Sequence, residues 1–349
     1  MDTFKSKKIG MLSDLHIGVR QDSELWHETA LDFAEWSSKK FEALGITEIA
    51  ILGDVFDNRS EISVRTLGVA QKFFEYFKEF QLVVPVGNHD CYKKYDSDVH
   101  SLGLLNGWKN VEIVDTPRVF KTTMDKTISV LPWGTSLEEM PTADIMFGHM
   151  DIKSFYMNGY NLCEHGFESA DLFLKSRYVI SGHFHKRDLR EYSKGKILYL
   201  GSPYQMNFGE VGDERGIYVF DLEKETFDFI ENTISPKHQK IKISELISKK
   251  IKSSDLQEMV PNNIVSLIVD HPIKPDTQAM LLSKIQNLSP KFLKPDFDLP
   301  DIDISSDGND GSEAVDISVI IDEYIDGLDT ENKEPIKKYI GELYQKYAV

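Results

Sequence analysis

The stretch Ile46–Asp57 reads ITEIAILGDVFD. An apolar run of strand-forming residues closes on Gly53, and Asp54 and Asp57 follow. A buried strand that ends this way delivers a carboxylate to the end of a sheet, and the glycine allows a tight backbone turn there. The same grammar recurs on both sides. Upstream, Lys8–Ser13 reads as a buried strand running into Asp14-Leu15-His16. Between them, residues 23–44 read as a helix, with Ser23 as N-cap and Gly45 just past the end. Downstream, Ser63–Phe80 reads as a helix and Gln81–Val86 as a strand that ends in Gly87-Asn88-His89-Asp90. Strand, helix, strand, helix, strand predicts a partly parallel sheet. Its chemistry should gather at the carboxyl ends of the strands, where all three polar motifs lie.

Farther on, the chain is dense in short strands: 111–114, 127–131, 144–147, 178–180, 196–200, 216–220 and 226–230. Two of them lead into Gly148-His149 and Gly182-His183-Phe184-His185. Two strand-rich halves with helices between predict an α/β fold, a β-sandwich flanked by helices. Asp14 and His16 are two apart, as are His183 and His185, so each pair can face one point. Asp54 could bridge two ions, and Asn88 offers a neutral oxygen. Carboxylate, amide and imidazole form the ligand set of two hard or borderline divalent cations, and two adjacent cations are the usual apparatus for attacking a phosphate ester with water. His89 should point away from Asn88 into the cleft, with Asp90 holding its ring; Asp57 reads equally as a turn carboxylate or a supporting group. Any one fragment alone is weak, since a lone Asp-x-His is usually a surface turn. Five in order, each after a β run, are hard to obtain by chance. His27, His100, His165, His238 and His271 lack that context and read as surface or helix residues.

The 349 residues suffice for one large or two ordinary domains. No apolar run is long enough for a membrane span, and the polar start, Met1–Lys8, carries no signal-like segment. Two cysteines, Cys91 and Cys163, make no disulfide framework and suit a reducing cytoplasm. The net charge of −17 is unevenly spread. Residues 295–334 hold fourteen Asp/Glu against one Lys, whereas 236–294 hold ten Lys against five Asp/Glu. The expected organisation is a catalytic domain over 1–235, a small basic α+β appendage over 236–294, an acidic flexible linker over 295–314 and a helical pair over 315–349. The lysines would suit a duplex-tracking surface, although a merely solvated lysine face is the commoner outcome.

Taken in order, Asp-x-His, Gly-Asp-x-x-Asp, Gly-Asn-His-Asp, Gly-His and Gly-His-x-His resemble the calcineurin-like metallophosphoesterases. Within them the chain resembles the nuclease subunits of SbcCD and MRN recombination complexes, including those of T-even phages. Leu131-Pro132-Trp133 and Leu200-Gly201-Ser202-Pro203 support the likeness. The resemblance implies one metal held by Asp14, His16, Asp54 and His185 and a second by Asp54, Asn88, His149 and His183. It implies manganese, with magnesium as the alternative, and a His89 that orients the scissile phosphate or protonates the leaving oxygen. It further implies a DNA substrate, 3′-to-5′ exonuclease action on duplex ends, single-strand endonuclease action and a cytoplasmic setting, that of the host for a phage protein. The implied partner is an SMC-like coiled-coil ATPase of the SbcC type, gripped by residues 315–349.

The helix at 63–80 carries Leu67, Val69, Phe73, Phe74, Tyr76, Phe77 and Phe80 over a wide arc, which predicts packing on two sides. One side would be the sheet. The other would be a second copy of the chain, as the family's helix-mediated homodimer implies, or more of the same chain. Two rival functions share the five motifs: a small-molecule phosphatase or phosphodiesterase, and a scaffold with a vestigial site. Residues 236–349 argue against the first and the complete ligand set against the second.

Overall fold

A computed structural model describes residues 2–93, 96–157, 161–271 and 273–297, together with Lys337. The chain divides into two compact units, Met1–Leu299 and Pro300–Val349. Apart from Lys337, the expected helical pair at 315–349 lies outside the described residues, as does nearly all of the acidic linker.

Two sheets face each other. The first, six strands, is built on β2 (Lys8–Leu12), β3 (Glu48–Ile51), β4 (Gln81–Pro85) and β7 (Val111–Val114), parallel neighbours in that order. Antiparallel β14 (Gly216–Asp221) and β15 (Thr226–Glu231) extend it beyond β2. The second sheet has seven strands in the order β1 (Thr3–Phe4), β8 (Arg118–Thr122), β9 (Thr127–Leu131), β10 (Ile145–His149), β11 (Tyr178–Gly182), β13 (Gly195–Tyr199) and β12 (Asp188–Tyr192). From β9 to β13 its strands run parallel. A two-stranded ribbon, β5 (Cys91–Lys93) with β6 (Asp96–His100), follows the Gly-Asn-His-Asp motif.

Side chains alternate across these strands, and that alternation makes the layers. Ile9, Met11, Ala50, Leu52 and Val83 face the inner core with Val130, Phe147, Ile180 and Leu198 of the opposite sheet. Their neighbours Leu12, Ile49, Ile51, Leu82 and Val84 face outward onto α1 (Glu24–Ala43) and α2 (Val64–Tyr76). Met146, Val179, Ile197 and Tyr199 cover the outer side of the second sheet. Gly10 belongs to this packing, since a Cβ there would meet Phe41 at 2.7 Å.

Both helices were legible, with shorter ends. The side chain of Ser63 accepts the Thr66 N–H as an N-cap, and α2 stops at Tyr76. Ser23 stands at the N-cap of α1 but makes no capping bond through its side chain. The wide apolar arc of α2 is buried inside one chain: Phe73, Phe74 and Phe77 are fully buried in the outer core. Its exposed face carries Val64, Arg65, Gly68, Gln71, Lys72, Glu75 and Tyr76. The phenylalanines therefore give no sign of a second copy.

The basic appendage is a parallel three-stranded sheet, β16 (His238–Lys242), β17 (Ile264–Val269) and β18 (Phe292–Phe297). The helices α3 (Ser253–Met259) and α4 (Pro275–Gln286) are its longest, and a small core of its own includes Ile241, Leu256, Val265, Leu267 and Ile285. Residues 295–297, expected in the linker, are the end of β18, because the backbone there pairs with β17. The appendage is docked on the sandwich. Gln205 Oε1 accepts the His238 N–H at 2.7 Å, and the His238 ring stacks on Trp26 and meets Phe208 edge-on. His238, read as a surface or helix residue, is instead buried in a strand, whereas His27 is a helix residue as read, and buried.

Candidate metal centre

The parallel strands of both sheets end at one edge of the sandwich, and five motifs meet there. Asp14 follows β2, Asp54 follows β3, Asn88 follows β4, His149 closes β10, and His183 and His185 follow β11. Asp14, His16, Asp54 and His183 all have positive φ, at 55°, 45°, 51° and 95°. Left-handed backbone of this kind costs about 1 kcal/mol or more per residue and is kept where the surrounding structure enforces it. The left-handed turns aim these side chains inward; the simple alternation of an extended strand is not what brings Asp14 and His16 together. Glycine is required beside them. A Cβ on Gly87 would meet the Asp54 N at 2.2 Å, and one on Gly53 would meet His149 Nδ1 at 2.6 Å.

Two groups of ligand atoms result, Asp14 with His16 and His185, and Asp54 with His149 and His183. Asp54 lies between them. Its Oδ2 is 3.3 Å from His149 Nε2 and 3.6 Å from His16 Nε2. Its Oδ1 accepts the His89 N–H at 2.8 Å. Asn88 Oδ1 is 2.8 Å from both His149 Nε2 and His183 Nδ1. His16 Nε2 and His185 Nε2 face each other at 3.0 Å.

Each of these four imidazoles has its other nitrogen on an acceptor. His149 Nδ1 donates to Leu52 O at 2.8 Å and His16 Nδ1 to Asp57 at 3.1 Å. His183 Nε2 donates to Asp151 at 2.9 Å and His185 Nδ1 to Glu210 at 3.4 Å. Those bonds fix the tautomers and leave lone pairs turned inward. Lone pairs that converge on lone pairs call for protons or for cations. Burial disfavours charge on His149, yet Asp54 and Asp14 outweigh burial and push its ring up to about 9. Burial likewise opposes charge on Asp54, and His149 and His16 hold its carboxyl well below the usual range. A nitrogen- and oxygen-lined centre this rich in negative charge fits divalent cations.

Trp133 walls the cluster, its ring centroid 4.8 Å from that of His183. His89 is half-buried at the mouth. Its Nδ1 donates to the Asp57 carbonyl at 2.6 Å, which leaves Nε2 as the working nitrogen. Burial holds the His89 ring below the ordinary histidine value against the pull of Asp54, and His16 and Arg59 push the same way. Asp90 does not hold that ring. Its Oδ1 accepts from Val55 N and Phe56 N, and its Oδ2 from Gly87 N. A fully buried carboxylate with three backbone donors ties the turns after β3 and β4 together. Burial and the Asp54 charge nonetheless push it up to about 7.

Sequence reading missed three groups. Asp151 stands two residues after His149 but holds His183, a pairing that local spacing does not flag. Glu210 had no local signal either. Its burial raises its pKa, but the His185 hydrogen bond and the Arg215 charge prevail and bring it to about 2. Arg59 lies on the loop after Asp57, its Nη2 2.8 Å from the amide of Asn88.

The chain is 27% identical over 362 residues to exonuclease subunit 1 of Enterobacteria phage T4, a match covering 97% of this chain and 98% of that one. Among solved structures, an archaeal phosphodiesterase aligns with 64% of this chain and 99% of its own at 14% identity and a TM-score of 0.37. A dimetal phosphatase from Danio rerio aligns with 63% of this chain and 92% of its own at 10% identity and a TM-score of 0.38. The model of the calcineurin-like phosphoesterase family matches residues 7–187, just over half the sequence and every strand end of the cluster, and the chain belongs to that family.

Proposed function

We propose that the chain is a two-metal DNA phosphodiesterase, the nuclease subunit of a recombination and repair complex of the SbcCD and MRN kind. The observation that carries the metal reading is the set of four histidines, each anchored at one nitrogen and turned at the other toward Asp54, Asn88 or a second histidine. One ion would be held by Asp14, His16, Asp54 and His185, and the other by Asp54, Asn88, His149 and His183. Manganese is the proposed ion, with magnesium as the alternative. Divalent cations in such a site neutralise phosphate charge and make water a stronger nucleophile.

The remaining work falls to side chains. His89 has its Nδ1 proton fixed by Asp57 O, so proton exchange with substrate occurs at Nε2. An arriving phosphate raises the affinity of a neighbouring imidazole for a proton. His89 thereby gains the proton that it can return to the departing 3′ oxygen. Asp57, Asp151 and Glu210 hold the rings of His16, His183 and His185, and Trp133 shields the cluster from water on one side.

The name of the phage relative, an exonuclease and a subunit, supports DNA as substrate and a protein partner. On this reading the chain acts 3′-to-5′ on duplex ends and as an endonuclease on single strands. An SMC-like ATPase governs it through residues 315–349. A homodimer through the exposed face of α2 belongs to the same proposal. The test is digestion of a 3′-labelled duplex with manganese, with magnesium and with EDTA, beside His89→Ala. Manganese-dependent nucleotide release that is lost in His89→Ala, with metal content unchanged, is expected. Hydrolysis of a small phosphate ester without any attack on DNA, even with the ATPase added, would favour the small-substrate alternative.

A further inference from the structure

We propose that Asp151, Cys163 and His165 form a further cation site, outside the paired centre, for a thiophilic divalent ion of the zinc class. The three side chains come from two passes of one stretch of chain that follows β10. The backbone locks those passes together on both sides of the cluster. Phe155 O accepts the Cys163 N–H at 2.8 Å, and Cys163 O accepts the Ser154 N–H at 2.7 Å. Asp151 O accepts the Phe167 N–H at 2.9 Å, and Phe167 O accepts the Lys153 N–H at 3.0 Å. Gly166 permits the close approach. Its φ is +88°, and a Cβ there would meet Asp151 O at 2.3 Å. A fixed frame thus brings carboxylate, thiol and imidazole to one point.

One ligand atom from each of the three lies within 4.8 Å of the others. Asp151 Oδ2 is 3.6 Å from His165 Nε2. Ligands on one tetrahedral zinc stand roughly 3.3–3.8 Å apart, given bonds of about 2.0–2.3 Å. Closing the triad on an ion therefore takes a shift of about 1 Å, and the exposed His165 side chain has the room to make it. Cys163 is rooted in the outer core of the second sheet with Phe155, Leu172 and Tyr199. Its Sγ turns to the loop and donates to His165 O at 3.1 Å. Packing alone accounts for a buried thiol, but not for a carboxylate and an imidazole that converge on it. Sulfur also sets the ion. The paired centre offers only nitrogen and oxygen, whereas a thiolate selects zinc over manganese or magnesium. Coordination would replace the Sγ bond to His165 O, and the Sγ proton would pass to water. Asp151 can serve both sites, with Oδ1 accepting from His183 Nε2 at 2.9 Å and Oδ2 on the ion. An ion there would hold fast the carboxylate that orients His183.

The test loads the full chain with manganese and then titrates it with cobalt(II), followed by zinc. Cobalt on a thiolate gives a near-ultraviolet charge-transfer band that nitrogen and oxygen ligands do not give, so the band reads this site whatever fills the paired centre. The wild type should develop the band with a single equivalent of bound thiolate-ligated cobalt, and zinc should abolish it. Cys163→Ala should remove the band, and Cys91→Ala should keep it. His165→Ala alters only an exposed side chain. It should weaken cobalt binding by more than about 100-fold, beyond the loss expected from a merely supporting partner. Absence of the band in the wild type would overturn the proposal, as would wild-type cobalt affinity in His165→Ala. If Cys163→Ala fails to fold, His165→Ala still decides. No readout requires phosphate hydrolysis, so failure of the functional reading above would leave this result standing.

Discussion

Asp57 and Asp90 show how two carboxylates in neighbouring motifs take different work from their surroundings. Asp57 is half-buried, one oxygen on His16 and its carbonyl on His89. Asp90 is buried and serves only backbone N–H groups. Removing each should fail in its own way. Asp57→Ala leaves the fold intact and frees the His16 ring, so metal affinity should fall about 10–100-fold. Asp90→Ala strands three buried donors, each worth roughly 1–3 kcal/mol when left unpaired. Its urea midpoint should drop by an amount equal to about 3 kcal/mol or more, with residual metal binding in whatever remains folded. If Asp90→Ala keeps wild-type stability and loses only turnover, the backbone-tying role is wrong. The candidate ligands were readable in the sequence because each motif follows a strand and, except at Asp14, a glycine. The ring-holding partners were less so, because Glu210 and Asp151 reach their histidines by tertiary packing, which local spacing does not encode.

At the level of elements, α2 and β16 carry the informative differences from expectation. Periodicity showed that α2 buries a wide arc, but not whether the cover was a second chain or the same one. Phe74 packs near Trp108, and Phe77 on Phe73 and Phe80, so one chain supplies the cover. Phe74→Ala should cost about 3–5 kcal/mol in thermal or urea unfolding. A dimer through this helix would use the other face, so Val64→Glu with Tyr76→Glu should halve the particle in sedimentation without loss of stability. An unchanged particle mass would remove that interface. In β16, His238 is wedged between Trp26 and Phe208 with Nδ1 unpaired. Burial is the main cause that lowers its ring to about 4, against the pull of Glu210 and with the push of Arg20 and Arg215. A histidine lowered on folding takes up protons preferentially when unfolded. Its contribution is thus whole above pH about 6.5 and is lost as pH falls toward 4, by on the order of 1–3 kcal/mol. His238→Phe should therefore flatten the fall of the melting temperature between those pH values; a parallel fall in both proteins would refute it.

Across the whole molecule, the strand–glycine–ligand grammar revealed the site before the sheet order. That order was not legible, because β14 joins the first sheet from far along the chain and β8 and β12 carry mixed burial that hides their pattern. The charge map was legible and its meaning was not. The ten lysines of 236–294 are solvated or nearly so, as a DNA-facing surface and an idle one would both be. Ionic strength separates the two. Each phosphate that a lysine neutralises releases counterion, so the slope of log K against log salt shrinks by about 0.9 for each contact removed. Lys249, Lys250 and Lys252 are exposed and close in sequence, at the rim of the appendage's small core. Exchanging all three for glutamine should weaken binding to a blunt duplex and reduce that slope by about 2–3. Hydrolysis of a small phosphate ester should be untouched, because the metal centre lies on the sandwich. An unchanged slope would mark the lysines as a solvated face, and a bound duplex would then have to be held by the sandwich itself.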